Sequence, residues 1–332
     1  MKKGEEHSLE HGYKTRIKKC SETIERIRKE VGKIVIGQDG TTSSLIRALL
    51  CEGHVIVEGA PGTAKTLLIR TLAEASGAQS KRVQFTVDML PTDILGITTY
   101  TPRKGFEIIK GPIFANFVVA DEINRSPPKT QSALLEAMQE RQVSIGRQTF
   151  ALPRPFFVMA TQNPIESSGV YPLPEAQIDR FLFKLLMDYP KIDDEEKIME
   201  NNITIMKFED FNIKPVTSPR EIIEMQKLTK KVYIDESIKK YILELVARTR
   251  EKNFALGKYI DWGASPRASI GLFIASKAEA LMNGRAFVIP EDVKNVAYEV
   301  IRHRLILNYK AVVEKVDSDK IIKELLNIVE VP

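Results

Sequence analysis

The stretch GAPGTAKT, residues 59–66, constrains this chain more than any other segment. It follows His54-Val55-Ile56-Val57, a short β-branched run of the kind buried inside a parallel sheet, and it opens a helical stretch at 67–75. Glycines let such a loop curl so that its N–H groups point inward at phosphate oxygens, and the helix N-terminus adds the positive end of its dipole. Lys65 reaches the β- and γ-phosphates as a point charge, and the Thr66 hydroxyl can ligate Mg²⁺. The cofactor-binding residues expected here are Gly59, Ala60, Pro61, Gly62, Thr63, Ala64, Lys65, Thr66 and Leu67. The general pattern GxxxxGK[ST] has glycine where this chain has Ala64, so by itself the segment also reads as a glycine-rich turn with a chance lysine.

Further short apolar runs at 83–87, 117–120, 156–160 and 183–187 read as strands, with helical stretches such as 129–140 between several of them. Strands alternating with helices imply an α/β fold, a parallel sheet with helices packed on it. Two segments with alternating character and a central glycine read as hairpins, 97–110 and 142–152, turning near Arg103-Lys104-Gly105 and at Gly146. Ahead of all this, residues 8–31 form an amphipathic helix on the spacing of Ile24, Ile27 and Val31, and a second helix covers 41–52. After Pro190 the pattern becomes helical, with segments at 193–201, 219–230, 235–252, 265–283 and 290–303. At 332 residues two domains are expected: a nucleotide-binding core over 1–190 and a smaller all-α domain over 191–332.

The run FVVADEINR (117–125) delivers Asp121 and Glu122 to the carboxyl end of a strand, the edge where ligands bind in open parallel sheets. Asp121 would hold Mg²⁺ through a water, and Glu122 would polarise the attacking water as a general base. An acidic pair after a strand also serves as a helix N-cap; its place about sixty residues after a phosphate loop favours the metal and water roles. FFVMATQNP (156–164) is a third such strand. Asn163 at its end can hydrogen-bond a γ-phosphate and the water without neutralising Glu122, while Asn-Pro is equally a turn starter. The chain lacks an Asn-Lys-x-Asp element, which favours adenine over guanine.

Taken together, GAPGTAKT, VADEINR, ATQNP, LPEAQIDRF (173–181) and GASPRA (263–268) resemble the MoxR family of AAA+ ATPases over roughly residues 30 to 310. That family writes its phosphate loop GxPGxAKT, which accounts for Ala64. The resemblance implies a P-loop AAA+ αβα core followed by a helical lid. It implies ATP and Mg²⁺ as cofactors, with Thr66 and Asp121 at the metal. The hairpin at 97–110 would be a helix-2 insert, and that at 142–152 a pre-sensor-1 hairpin. Asn163 would act as sensor 1, Arg267 as sensor 2, and Arg180 as an arginine finger on a neighbouring subunit's nucleotide. IVIGQ (34–38), with Ile36 and Gly37, would contact adenine. The implied function is hydrolysis of ATP to ADP and phosphate, coupled to chaperone-like maturation of other complexes. The implied partners are further copies in a hexameric ring and a protein carrying a von Willebrand factor A domain.

Two of these residues also have plain readings. Asp179-Arg180 can be a surface ion pair of little energetic worth. A cation at position 267, just after Pro266 at a helix start, opposes the helix dipole and so is not placed for helix stability.

The remaining composition narrows the alternatives. No run of 18 uncharged apolar residues is present, so no membrane span is expected, and the start MKKGEEHSLEHGYKT lacks the apolar segment of a signal peptide. Cys20 and Cys51 have no metal or redox spacing, which fits a cytoplasmic protein, and the four histidines are too scattered for a zinc site. A net charge of +5 with both signs mixed is weak support for nucleic acid. A nucleic-acid motor is the main alternative. Arg103, Lys104 and Arg147 on the hairpins make a thin electrostatic footprint for one, and Tyr100, Phe106 and Phe150 are its sole stacking candidates. A slow, nucleotide-gated assembly scaffold is the third reading.

Overall fold

After a long helix, α1 (Lys2–Gly32), and a shorter one, α2 (Asp39–Leu50), the chain enters an alternating pattern. It runs β1 (Val55–Gly59), α3 (Lys65–Ala75), β2 (Ser80–Gln84), α4 (Pro91–Leu95), the hairpin β3 (Gly96–Thr101) and β4 (Gly105–Lys110), then β5 (Phe117–Asp121) and α5 (Pro128–Glu140). A second hairpin, β6 (Gln142–Ile145) and β7 (Gln148–Ala151), precedes β8 (Phe157–Gln162), α6 (Glu175–Ile178), β9 (Phe183–Met187) and α7 (Ile192–Asn201). This computed structural model describes residues 2–60, 62–163, 170–201 and 208–332, with residues 2–11, 201 and 209 as backbone alone.

Five strands form one sheet in the order β2-β5-β8-β1-β9. The pairings β2–β5, β5–β8 and β1–β8 are parallel. The middle strands are the continuous apolar runs: every residue of β5 is buried, as are Phe157 to Thr161 of β8. A strand covered on both faces can bury side chains of either parity, so it shows no alternation. The register aligns Val57 with Thr161, Ala120 with Ala160 and Gln84 with Asp121. The carboxyl ends of β1, β5 and β8 therefore meet at one edge of the sheet.

One expected strand is corrected. The run 83–87 is not the strand; Ser80–Gln84 is, and of its side chains Val83 alone is buried. An outer strand with one covered face needs few apolar residues, so its sequence does not announce it. Phe85 still donates its N–H to the Asp121 carbonyl at 2.9 Å, after which the chain turns away.

Both hairpins form where the alternation placed them, with Gly105 and Gly146 at positive φ. They touch: a Cβ on Gly146 would come within 2.9 Å of the Thr98 hydroxyl. On the first hairpin Tyr100 and Phe106 are cross-strand partners with rings 5.2 Å apart, both largely exposed.

Strands β1, β2, β5 and β8 and the Leu185–Met187 part of β9 belong to a compact unit of Arg26–Phe181 and Leu185–Ile223, so residues on either side of position 190 cluster with them. The other unit comprises Met1–Glu25, Leu182–Lys184 and Glu224–Pro332. It follows α8 (Pro219–Lys231) with α9 (Glu236–Glu251), α10 (Pro266–Met282), α11 (Pro290–Ile301), α12 (Tyr309–Val313) and α13 (Ser318–Ile328). Its Glu224–Pro332 segment is mostly helical and carries one short antiparallel ribbon, β10 (Ile260–Trp262) with β11 (Ile306–Leu307), too short to show in the sequence pattern. Asp235, Ser265 and Asp317 cap their helices by accepting hydrogen bonds from the first-turn amides of Ser237, Arg267 and Lys320. Gly271 lets α10 approach α11, since a Cβ there would lie 2.9 Å from Val300.

Candidate active site

The glycine-rich loop leaves β1 at Gly59, where a Cβ would stand 2.4 Å from the Met187 carbonyl of β9; only glycine fits between these backbones. Gly62 has φ +82, and Ala64 caps α3 at φ 60, ψ 22. The general pattern's glycine thus corresponds to a left-handed position, and alanine holds it here at a cost of roughly 1–2 kcal/mol. Thr63 donates to the Ala60 carbonyl at 2.9 Å. Pro61 lies outside the described residues.

Lys65 donates to the Gly59 carbonyl at 2.6 Å. Burial pulls its pKa below the usual lysine value, opposed by the charges of Asp121, Glu122 and Glu58. Asp121 is nearly buried and fully engaged. Its Oδ1 accepts from the Thr161 hydroxyl at 2.6 Å. Its Oδ2 accepts from Arg82 Nε and Nη2 at 2.9 and 2.7 Å and from the Thr66 hydroxyl at 3.2 Å. Glu122 occupies the left-handed region (φ 55, ψ 50), and its N–H donates to Thr161 Oγ1 at 2.9 Å. Its Oε2 accepts from Gln84 Nε2 at 2.8 Å and pairs with Arg125 Nε at 3.0 Å. A non-glycine residue held at positive φ by a buried hydroxyl is local strain of the sort concentrated at working sites.

These groups border a cavity of about 400 Å³ lined by residues 62–67, Arg82, Asp121, Glu122, Thr161 and Asn163. A second cavity of about 340 Å³ shares Gly62, Thr63, Ala64 and Leu67 with it. The second is apolar, walled by Ile34, Val35, Ile36, Pro190, Ile198, Phe208 and Phe211, with Gln38 at its edge. Gly37 adjoins it at φ +75, its Cα facing the Asp194 carboxylate. Arg70 stacks over the Phe208 ring at 3.8 Å. One polar and one apolar chamber joined by a glycine-rich loop suit a ligand with a phosphate end and a flat ring end.

For a divalent cation the relevant donors are Thr66 Oγ1 and Asp121 Oδ2, both hard oxygens and within 3.2 Å of each other. One carboxylate and one hydroxyl fit Mg²⁺, which is usually held by few protein ligands together with waters and phosphate oxygens.

Of the expected site residues, Gly62, Thr63, Ala64, Lys65, Thr66, Leu67, Asp121, Glu122, Asn163 and Ile36 line these chambers, with Gly37, Gly59 and Ala60 beside them. Arg180 does not line them. It is exposed just after α6 and donates to the Gln139 amide oxygen on α5. Arg267 is exposed in the first turn of α10, in the other unit. Sequence reasoning missed Arg82, Gln84, Thr161, Phe208 and Phe211. Thr161 lay inside the ATQNP segment and Gln84 inside an expected strand, but nothing in the sequence gave either a partner.

A sheet ordered β2-β5-β8-β1-β9, with its phosphate loop after β1 and an acidic pair after β5, defines a P-loop nucleotide-binding protein of the AAA class. Residues 54–183 match the model of the ATPase family associated with various cellular activities (AAA), and residues 255–325 match that of the AAA lid domain. Chaperone MoxR1 of Mycobacterium tuberculosis is 44% identical, over 93% of this chain and 82% of its own length. YeaC of Bacillus subtilis, itself uncharacterised, is 42% identical over 92% and 93%. A crystal structure of a candidate ATPase from Cytophaga hutchinsonii superposes with a TM-score of 0.90 at 43% identity, covering 99% of both chains. The chain belongs to the MoxR family of AAA+ ATPases.

Proposed function

We propose that this chain binds ATP with Mg²⁺ in the two joined chambers and hydrolyses it to ADP and phosphate, using the cycle to remodel partner proteins. The observation that carries this reading is the meeting of Lys65, Thr66, Asp121, Glu122 and Asn163 around one cavity continuous with an apolar pocket. Lys65 would leave the Gly59 carbonyl to engage the β- and γ-phosphates. Thr66 and Asp121 would hold the metal, which neutralises charge developing on the phosphate oxygens. Glu122 would orient the attacking water and take its proton once its carboxylate is released from Gln84 and Arg125. Asn163 would fix that water and the γ-phosphate. Ile36, Gly37 and the aromatic wall of Phe208 and Phe211 would receive adenine.

Arg180 sits on the surface away from the cavity lining, which supports a role on a neighbouring copy's nucleotide, and hence a ring, read here as a hexamer. Arg267 would act from the lid. The division into a core over 1–190 and a lid over 191–332 belongs to the same proposal. The exposed Tyr100–Phe106 pair on the first hairpin supports contact with a protein partner, for which a von Willebrand factor A domain is the expected type. The name of the M. tuberculosis relative supports a chaperone role. No described helix is long and apolar enough to cross a membrane, and a cytoplasmic setting is part of this reading.

The test is the ATPase rate per subunit against protein concentration for wild type, Glu122→Gln and Arg180→Ala. The expected rate rises with concentration, and both variants abolish it while Glu122→Gln still binds ATP. A finger is worth about 10³- to 10⁵-fold in rate. A concentration-independent rate that survives Arg180→Ala would remove the finger and ring. No Mg²⁺-dependent hydrolysis at any concentration, with or without a partner, would remove the ATPase reading.

A further inference from the structure

Arg82 is a cation inside the candidate site that the reading above leaves without a task. It lies on β2 two residues before Gln84, so the two side chains leave the strand on the same face while Val83 enters the core. Strand β2 pairs with β5, and that pairing carries the guanidinium to the end of β5. There both Nε and Nη2 converge on a single atom, Asp121 Oδ2, at 2.9 and 2.7 Å. That oxygen also receives the Thr66 hydroxyl. Gln84 Oε1 accepts from the same Nη2 at 2.8 Å and holds the guanidinium in register.

We propose that Arg82 is a built-in counter-ion of Asp121 that a divalent cation has to displace, so that it sets how much metal the site requires. This rests on the reading of Asp121 as the metal-binding carboxylate. The guanidinium occupies the oxygen on which the metal, or the water that carries it, would rest, and the two cations carry the same sign of charge. Arginine cannot escape the conflict by losing its proton, because the guanidinium stays charged in proteins. One partner has to move, and exposure decides which. The Arg82 side chain is 56% exposed, whereas that of Asp121 is 12% exposed and fixed on its other oxygen by Thr161. Arg82 can swing into solvent and keep its hydration; Asp121 cannot follow.

In the absence of metal the pair keeps a nearly buried carboxylate compensated. In its presence the pair is a competitor that raises the cation concentration needed for occupancy. A half-exposed, charge-assisted pair of this kind lowers apparent metal affinity by about 3- to 10-fold.

The experiment measures binding of a fluorescent N-methylanthraniloyl ATP, first in EDTA and then across a titration of free Mg²⁺, for wild type, Arg82→Ala and Asp121→Asn. The expected result for Arg82→Ala is a Mg²⁺ midpoint about 3- to 10-fold lower than wild type, each variant's Mg²⁺ gain being read against its own affinity in EDTA. Asp121→Asn is expected to lose the Mg²⁺-dependent gain in affinity. Circular dichroism shows that each variant is folded before it is titrated; Arg82 is exposed enough for its removal to be tolerated. An unchanged midpoint in Arg82→Ala, with the Mg²⁺ gain lost in Asp121→Asn, overturns the counter-ion role and leaves the metal reading standing. Equal weakening of Arg82→Ala in EDTA and in Mg²⁺ assigns Arg82 to the phosphates and also overturns it. A Mg²⁺ gain that survives Asp121→Asn removes the metal reading itself.

Discussion

Replacing Thr161 by valine would break two hydrogen bonds at once while leaving the volume of the side chain almost unchanged. The hydroxyl donates to Asp121 Oδ1 at 2.6 Å and accepts from the Glu122 N–H at 2.9 Å. The groups left without a partner are Asp121 Oδ1 and the Glu122 N–H; Asp121 is buried, so its oxygen gains little access to water. An unsatisfied buried polar group costs about 1–3 kcal/mol, more if charged, and the cavity beside these atoms admits some water. The combined loss is about 2–4 kcal/mol, concentrated at the left-handed backbone of Glu122. The single tryptophan, Trp262, lies in the other unit, so its fluorescence does not report this loss directly. Hydrogen exchange of the Glu122 amide does: each 1.4 kcal/mol of lost local stability speeds exchange by about tenfold, or about 30- to 1,000-fold here. Thr161→Ser keeps both hydrogen bonds and loses only a methyl, so its exchange should stay close to wild type. Exchange in Thr161→Val within threefold of wild type, or as fast in the serine variant as in the valine one, would refute this account.

Two further outcomes follow from the same packing. His54 is fully buried, with Nδ1 accepting from the Val158 N–H at 3.0 Å and Nε2 within 3.2 Å of the Met138 carbonyl. Burial, with a smaller push from Arg141, lowers its pKa to about 4 from 6.5. Between those values the unfolded chain holds a proton that the folded one does not. Stability is therefore unaffected above about pH 6.5 and falls by about 3 kcal/mol as pH drops towards 4. Urea titrations at several pH values should show that slope reduced in His54→Gln; an unchanged slope would mean other groups carry it. Gly59→Ala puts a Cβ 2.4 Å from the Met187 carbonyl and should cost about 1–3 kcal/mol or more, whereas Gly62→Ala meets nothing and should cost about 1–2 kcal/mol through its φ of +82 alone. Thermal melts that rank the two the other way would show that β9 gives way easily.

Much of this architecture was legible because burial on both faces writes a strand as an apolar run. β1, β5 and β8 are such runs, and each ends in the residue type its chemistry needs: glycine, an acidic pair, an amide. β2 was misplaced because an outer strand can be built of Ser, Lys, Arg, Val and Gln. Helix α13 carries Ile321, Ile322 and Leu325 at helical spacing, all buried, within the stretch after Pro190 whose pattern is helical almost throughout. The apolar chamber was not within reach, because Phe208 and Phe211 lie about 150 residues from the loop they adjoin and no local spacing connects them.

The sequence by itself determined the phosphate loop, the acidic pair, the alternation of strands and helices, and through them the family. These are local patterns, set by backbone conformation and by which side chains a strand or helix can bury. Only the tertiary structure decided which strands are neighbours. Placing β2 beside β5 brought Arg82 and Gln84 to Asp121 and Glu122, and placing β8 between β1 and β5 brought the Thr161 hydroxyl to the Asp121 carboxylate and the Glu122 N–H. Such contacts depend on strand order and register, which are fixed by the packing of the whole sheet and leave no mark in the spacing of residues along the chain.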